Sequence, residues 1–180
     1  MSTEDTIEKL SEALVAELLA AGKSVSTAES CSGGWIAKSI TDVAGSSGCF
    51  GYGVVSYSNG AKETLLGVNA MTLQQHGAVS EQTVIEMAQG CLGLSGSDLA
   101  VAVSGIAGPD GGTEDKPVGT VWIGWATRCD GKITTSAERC SFEGGRDEVR
   151  SRTVIAALQG LRSRLRADGT KAPVSGPVAG

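Results

Sequence analysis

The segment Ser26–Gly34, read S-T-A-E-S-C-S-G-G, offers two adjacent nucleophiles, Ser30 and Cys31, just ahead of a glycine pair. It follows a short extended run, Val25 to Ala28, and its glycines open a new helical pattern. A strand-to-helix turn of this kind lets the backbone approach a ligand, and the first N–H groups of the helix have no intrahelical partner and point at it. A nucleophile needs a base. The one histidine of the chain, His76, has no partner pattern near it and reads as a loop or helix-end residue. Lysine can also deprotonate a serine, provided that burial or a neighbouring cation drives off its own proton. Lys62, in Tyr57-Ser58-Asn59-Gly60-Ala61-Lys62, is the candidate base. The chemistry this pair could do is acyl transfer, with Ser30 forming a covalent acyl-enzyme. Cys31 is the rival nucleophile, since a cysteine at a helix start can have a lowered pKa. It ranks below Ser30 because it lacks an evident histidine partner.

Two further segments could hold the rest of a substrate. Ser104-Gly105-Ile106-Ala107-Gly108-Pro109-Asp110-Gly111-Gly112 is a loop whose glycines and proline permit turns with exposed backbone N–H groups. Arg146, after Gly144-Gly145, opens the final helical pattern, where an anion meets both a guanidinium and free backbone donors.

The elements that must position these residues follow from periodicity. Ile7, Leu10, Leu14 and Leu18 predict an amphipathic first helix, ended by Gly22 as a left-handed cap. Ile36, Ile40 and Val43 continue a helical stripe after the Ser30 turn, up to a loop at Ala44–Gly48. Gly51 to Ser58 reads as a strand that delivers Tyr57 and Lys62 to one neighbourhood, with Asn59 as cap of the short helix carrying Lys62. Ser80 caps a helix in which Val84, Met87, Ala88, Cys91 and Leu92 share a face. Leu99 to Ser104, continuously apolar, predicts a strand buried on both faces. Val118–Thr127 and Lys132–Phe142 flank Asp130-Gly131, a type I′ dipeptide, and predict an antiparallel hairpin. Val154, Leu158, Leu161 and Leu165 form the packing stripe of the last helix, whose arginines 150, 152, 162, 164 and 166 read as a solvated face. The fold class expected is α/β, a three-layer α/β/α arrangement whose mixed sheet includes an antiparallel hairpin. The division expected is one domain over 1–167 and a flexible tail over 168–180, rich in Gly, Pro and small residues.

Composition narrows the function. The 180 residues suffice for one full hydrophobic core, and 41% hydrophobic with 19% charged residues is the balance of a globular protein. A net charge of -5 argues against a nucleic-acid binder, which needs a concentrated basic surface, and favours a small-molecule ligand. No apolar stretch has the length of a membrane span and the N-terminus lacks the order of a signal peptide, so no membrane partner and a cytoplasmic location are expected. The five cysteines form no C-x-x-C pair and no Cys/His cluster, so no metal site is predicted and free thiols are favoured over a Cys129–Cys140 bridge across the hairpin.

Together, Thr27–Gly34, Tyr57–Lys62, Gly77-Ala78-Val79-Ser80, Ser104–Gly112 and Lys116-Pro117-Val118-Gly119-Thr120-Val121 resemble the CinA C-terminal domain family, from about Ile7 to Leu165. The family's characterised members are nicotinamide mononucleotide amidohydrolases. The resemblance implies a stand-alone amidase without metal or other cofactor, lacking the molybdopterin-domain-like N-terminal half of longer CinA proteins, and it suggests a homodimer. It implies Ser30 as nucleophile, Lys62 as its base and Tyr57 as the active-site tyrosine. Ser104 falls on a hydroxyl residue that is often threonine, and Arg146 on the arginine before the last helix. Substrate contacts are expected from Ser32, Gly33, Gly34, Ser104, Gly105 and Arg146, with the N–H groups around Ser32–Gly34 receiving the oxyanion. Ser32 stands where the family usually has threonine, and Gly60 fills the variable position of the lysine motif. Against catalysis stands a second reading, a nucleotide-binding or interaction module linked to competence or DNA damage.

Overall fold

A computed structural model describes residues 2–169, so most of the tail expected over 168–180 lies outside the described residues. Helix α1 (Thr3–Ala21) begins with a capping box between Ser2 and Asp5 and ends at Gly22, which takes the left-handed conformation (φ 61). Its stripe Ile7, Leu14, Val15 and Leu18 is buried, as the spacing predicts. Strand β1 (Val25–Glu29) runs into the Ser30 turn, and α2 (Trp35–Thr41) leaves it. A single 3-10 turn, Ser46–Gly48, then leads into β2 (Phe50–Val55). Three helices follow, α3 (Asn59–Leu66), α4 (Ala70–His76) and α5 (Glu81–Ser95). Strands β3 (Leu99–Gly105), β4 (Thr120–Cys129) and β5 (Lys132–Ser141) precede the last helix, α6 (Arg146–Gly169).

The five strands lie in the order β2-β1-β3-β4-β5. β1 is parallel to both β2 and β3, whereas β4 is antiparallel to β3 and β5. The interior strand expected at Leu99–Ser104 is therefore β3, with every residue from Leu99 to Ser104 buried. The expected hairpin is β4–β5. Asp130 (φ 50) and Gly131 (φ 75) hold the left-handed angles of a type I′ turn.

Alternation along β3 separates two cores. Leu99, Val101 and Val103 face α1, α2 and α6, together with Val121, Ile123 and Trp125 of β4. Ala100 and Ala102 face α3, α4 and α5, together with Ala28 and Ala126. Large side chains fill the first interface, where Leu14, Leu18, Leu158 and Leu161 are each almost wholly buried, worth roughly 1.5–3 kcal/mol apiece. The second face is alanine-lined, so α5 sits close against the sheet. This is the three-layer α/β/α fold with a mixed sheet.

Two local expectations are corrected. Ser58, not Asn59, caps α3: its hydroxyl accepts from the Ala61 N–H at 3.1 Å, while Asn59 is already helical. The arginines of α6 are not one solvated face. Arg162 and Arg166 both bond Glu17 of α1, and Arg164 stacks on Trp125 at 3.7 Å. Arg150 bonds the Ser30 turn. Cys129 and Cys140 are free thiols, as favoured, and the register pairs Cys129 with Lys132 and Val121 with Cys140.

Candidate active site

The site lies where the parallel strands end. At the carboxyl edge of an α/β sheet, neighbouring strands release their chains into loops on either side and leave a crevice for a ligand. The Ser30 N–H donates to Val103 O of β3 at 3.1 Å, and the Ser56 N–H to Glu29 O of β1 at 2.8 Å. Ser30, Ser56 and Ser104 thus mark the ends of three adjacent strands.

Lys62 reaches this edge from α3. Its Nζ donates to Ser30 Oγ at 3.1 Å, to Ser56 O at 2.8 Å and to Tyr57 O at 3.4 Å. Only 1% of the residue is exposed, and no carboxylate touches the amine. Burial pushes the Lys62 ammonium below its ordinary pKa, against a smaller opposing pull from Cys31. A lysine so placed is suited to act as a neutral base toward the serine it touches. Burial works against Cys31 as the attacking group. Its thiol is 5% exposed and pushed up to about 12, far from the thiolate that a cysteine nucleophile needs.

The turn itself is held by a residue the sequence reading passed over. Glu29, 1% exposed, accepts from the Ser32 hydroxyl at 2.6 Å and from the N–H groups of Gly34, Ile36 and Ala37 at 3.0, 3.0 and 2.8 Å. A carboxylate at a helix N-terminus satisfies the open donors and favours the positive end of the helix dipole. It is the cap that α2 otherwise lacks, since its first flanking residue is Gly34 (φ 94). The spacing of Glu29 to the N–H groups of the next helix was the available signal. One consequence concerns the expected substrate contacts: the Ser32 hydroxyl and the Gly34 N–H are engaged by Glu29, and the Gly33 N–H by Ser30 O at 3.1 Å.

The other expected residues are near but differently employed. Tyr57 is 62% exposed, and its phenol accepts from Arg146 Nη2 at 3.2 Å; only its carbonyl meets Lys62. Arg146, the first residue of α6, also donates to Gly108 O at 2.7 Å and so joins the glycine-rich loop to Tyr57. Ser104 and Gly105 close β3, with Ser104 buried beside the strand end that anchors Ser30. His76 ends α4, where its carbonyl accepts from Lys116. Among the described residues no group of three or more His, Cys, Asp or Glu side chains is placed to hold a metal ion. Nor is any described helix long and apolar enough to cross a membrane.

Comparison with known proteins gives this geometry a family. The profile of the CinA C-terminal domain matches residues 7–165. The chain is 54% identical over 159 residues to "Nicotinamide-nucleotide amidohydrolase PncC" of Escherichia coli K12, an alignment covering 88% of this chain and 94% of that protein. A CinA-like protein of Chlorobaculum tepidum is 50% identical over 158 residues, which make up only 37% of its length. Among solved structures, the competence/damage-inducible protein CihA of Agrobacterium tumefaciens superposes with a TM-score of 0.84 at 43% identity, covering 89% of this chain and 96% of the other. A CinA superfamily protein of Klebsiella pneumoniae gives 0.82 at 38% identity, covering 93% and 99%. The chain belongs to the CinA C-terminal domain family.

Proposed function

We propose that the chain hydrolyses the carboxamide of nicotinamide mononucleotide to nicotinate mononucleotide and ammonia, with Ser30 as nucleophile and Lys62 as base. The observation that carries the reading is the buried Lys62 amine 3.1 Å from the Ser30 hydroxyl, in a chain 54% identical to a nicotinamide-nucleotide amidohydrolase. Lys62, neutral, accepts the Ser30 proton as Oγ bonds to the amide carbon and the carbonyl electron pair moves onto oxygen. The pair returns as the C–N bond breaks, and the Lys62 ammonium supplies the proton with which ammonia leaves. Water, deprotonated by Lys62, then attacks the acyl carbon, and the released Ser30 oxygen recovers its proton from the lysine.

Arg146 and the Gly105–Gly112 loop are the candidates for holding the substrate phosphate, since a guanidinium and backbone N–H groups both suit a dianion. A module that only bound a nucleotide would have no use for a lysine amine buried at a cost in solvation against a serine hydroxyl. The same reading takes 1–167 as one catalytic domain, cytoplasmic, acting on a small molecule rather than nucleic acid, and working as a homodimer. The test is ammonia release across pyridine nucleotides. One acid and one ammonia per nicotinamide mononucleotide consumed is expected, and binding without turnover would favour the non-catalytic module.

A further inference from the structure

Most backbone donors of the Ser30 turn are already taken. The N–H groups of Ser30, Gly33 and Trp35 go to Val103 O, Ser30 O and Ser32 O, and those of Gly34, Ile36 and Ala37 go to the Glu29 carboxylate. From Ser30 to Ala37, this leaves the N–H groups of Cys31 and Ser32 as the two that are given to no other residue. The carbonyls of the same two residues are held from the far side. Arg150 Nε donates to Cys31 O at 3.2 Å and Nη2 to Ser32 O at 3.0 Å, while the guanidinium lies 5.4 Å from the centre of the Trp35 ring.

Cys31 C=O and Ser32 N–H belong to one trans peptide unit and point in opposite directions. Arg150 comes from α6, on one face of the sheet, and Lys62 from α3, on the other. With the carbonyl drawn toward α6, the Ser32 N–H is turned toward the layer from which Lys62 meets Ser30. We infer that Arg150 is a positioning residue for acyl transfer: by holding the Cys31 and Ser32 carbonyls, it aims the Ser32 N–H, beside that of Cys31, at the oxyanion formed on Ser30. A positive charge on the carbonyl also polarises the peptide unit and strengthens its N–H as a donor. Two carbonyls at this spacing suit the planar fork of arginine, which the single ammonium of lysine cannot reproduce. The inference rests on Ser30 as nucleophile.

The test follows two reactions of Ser30: ammonia release from nicotinamide mononucleotide and acylation by p-nitrophenyl acetate, with Ser30→Ala as the blank. Arg150→Ala is expected to lower kcat for both by about 10- to 100-fold with KM within about threefold, because donors to the oxyanion act in the transition state. Arg150→Lys is expected to fall between Ala and wild type. Ethylguanidinium is expected to restore part of the Arg150→Ala rate, entering by the cavity of about 860 Å³ lined by Gly33, Gly34, Trp35 and Arg150. The inference is overturned by a kcat within twofold of wild type, by a loss in KM alone, or by a loss that tracks the unfolding midpoint and does not respond to ethylguanidinium. Should Arg150→Ala not fold, Arg150→Lys decides, a wild-type kcat overturning the inference and a reduced kcat at unchanged KM supporting it. A wild type that acylates with the ester yet releases no ammonia overturns the substrate reading, and the ester still decides Arg150. If neither compound acylates Ser30, the inference falls with the nucleophile.

Discussion

Lys62 Nζ lies 3.1 Å from Ser30 Oγ, although 32 positions separate the two residues. Helix α2, the 3-10 turn, strand β2 and the first turn of α3 fill that interval, so the pair exists only once β1, β2 and α3 have assembled. Two groups that share one proton act as a unit, and removing either disables both. Ser30→Ala and Lys62→Ala are each expected to lower kcat for nicotinamide mononucleotide by about 10³-fold or more, and the double variant by little more than either. Single-turnover ammonia release measures this, and additive losses would reject the dyad.

The pH dependence follows from the burial of Lys62. Its reactive form is the neutral amine, and its folded pKa lies below the ordinary 10.5. The rate governed by kcat/KM is therefore expected to rise with pH to a midpoint below 10.5 and then level off. Stability should move the same way. Between the lowered folded pKa and 10.5 the unfolded chain binds more protons than the folded one, so unfolding free energy rises with pH across that window. Lys62→Met should flatten this rise. A pH–rate profile, with thermal unfolding of both proteins over the same range, checks both signs.

Much of this arrangement is legible in the sequence because it is local. The 3.6-residue stripe of α1, the apolar run of β3 and the Asp130-Gly131 turn each declare themselves within about ten residues. The Ser30–Lys62 pair came from residue chemistry and a family resemblance, since nothing in periodicity brings α3 to the end of β1. Glu29 and Arg150 were missed for a different reason. Each acts on main-chain atoms, Glu29 on the N–H groups of α2 and Arg150 on two carbonyls 118 and 119 positions away. A charge that serves mainly a backbone is not marked by a complementary charge in the sequence. In sequence, Arg150 therefore reads as one more exposed helix arginine, as does Arg162, whose partner Glu17 lies on α1.

Helix α3 depends on a glycine that lies outside the site. A Cβ added at Gly90 of α5 would stand 1.8 Å from Leu66 O, the last residue of the helix that carries Lys62. Backbone on both sides leaves no flexible side chain to give way. Gly90→Ala is expected to destabilise the fold by about 1–3 kcal/mol, as overpacking does, and to lower kcat by shifting Lys62 from Ser30. Thermal unfolding and steady-state kinetics check this. A variant with wild-type kcat would mean that α3 and α5 separate without moving the lysine.

Arg146 has the opposite expected signature, because it stands at the mouth of the site and not at the reacting bond. Its guanidinium joins Gly108 O and the Tyr57 phenol at the start of α6, where an anion meets both a fixed charge and open helix donors. An interaction made equally in ground and transition states changes KM and leaves kcat alone. Arg146→Ala is therefore expected to raise KM for nicotinamide mononucleotide by about 10-fold or more while sparing nicotinamide riboside, which lacks the phosphate. Tyr57→Phe removes the acceptor that orients the guanidinium and should show a weaker form of the same change. It should not resemble Ser30→Ala, since the phenol bonds Arg146 and only the Tyr57 carbonyl meets Lys62. Comparing the two substrates across both variants separates these roles: an equal Arg146→Ala effect on both would reject phosphate recognition, and a kcat collapse in Tyr57→Phe would give the phenol a part in the proton transfer.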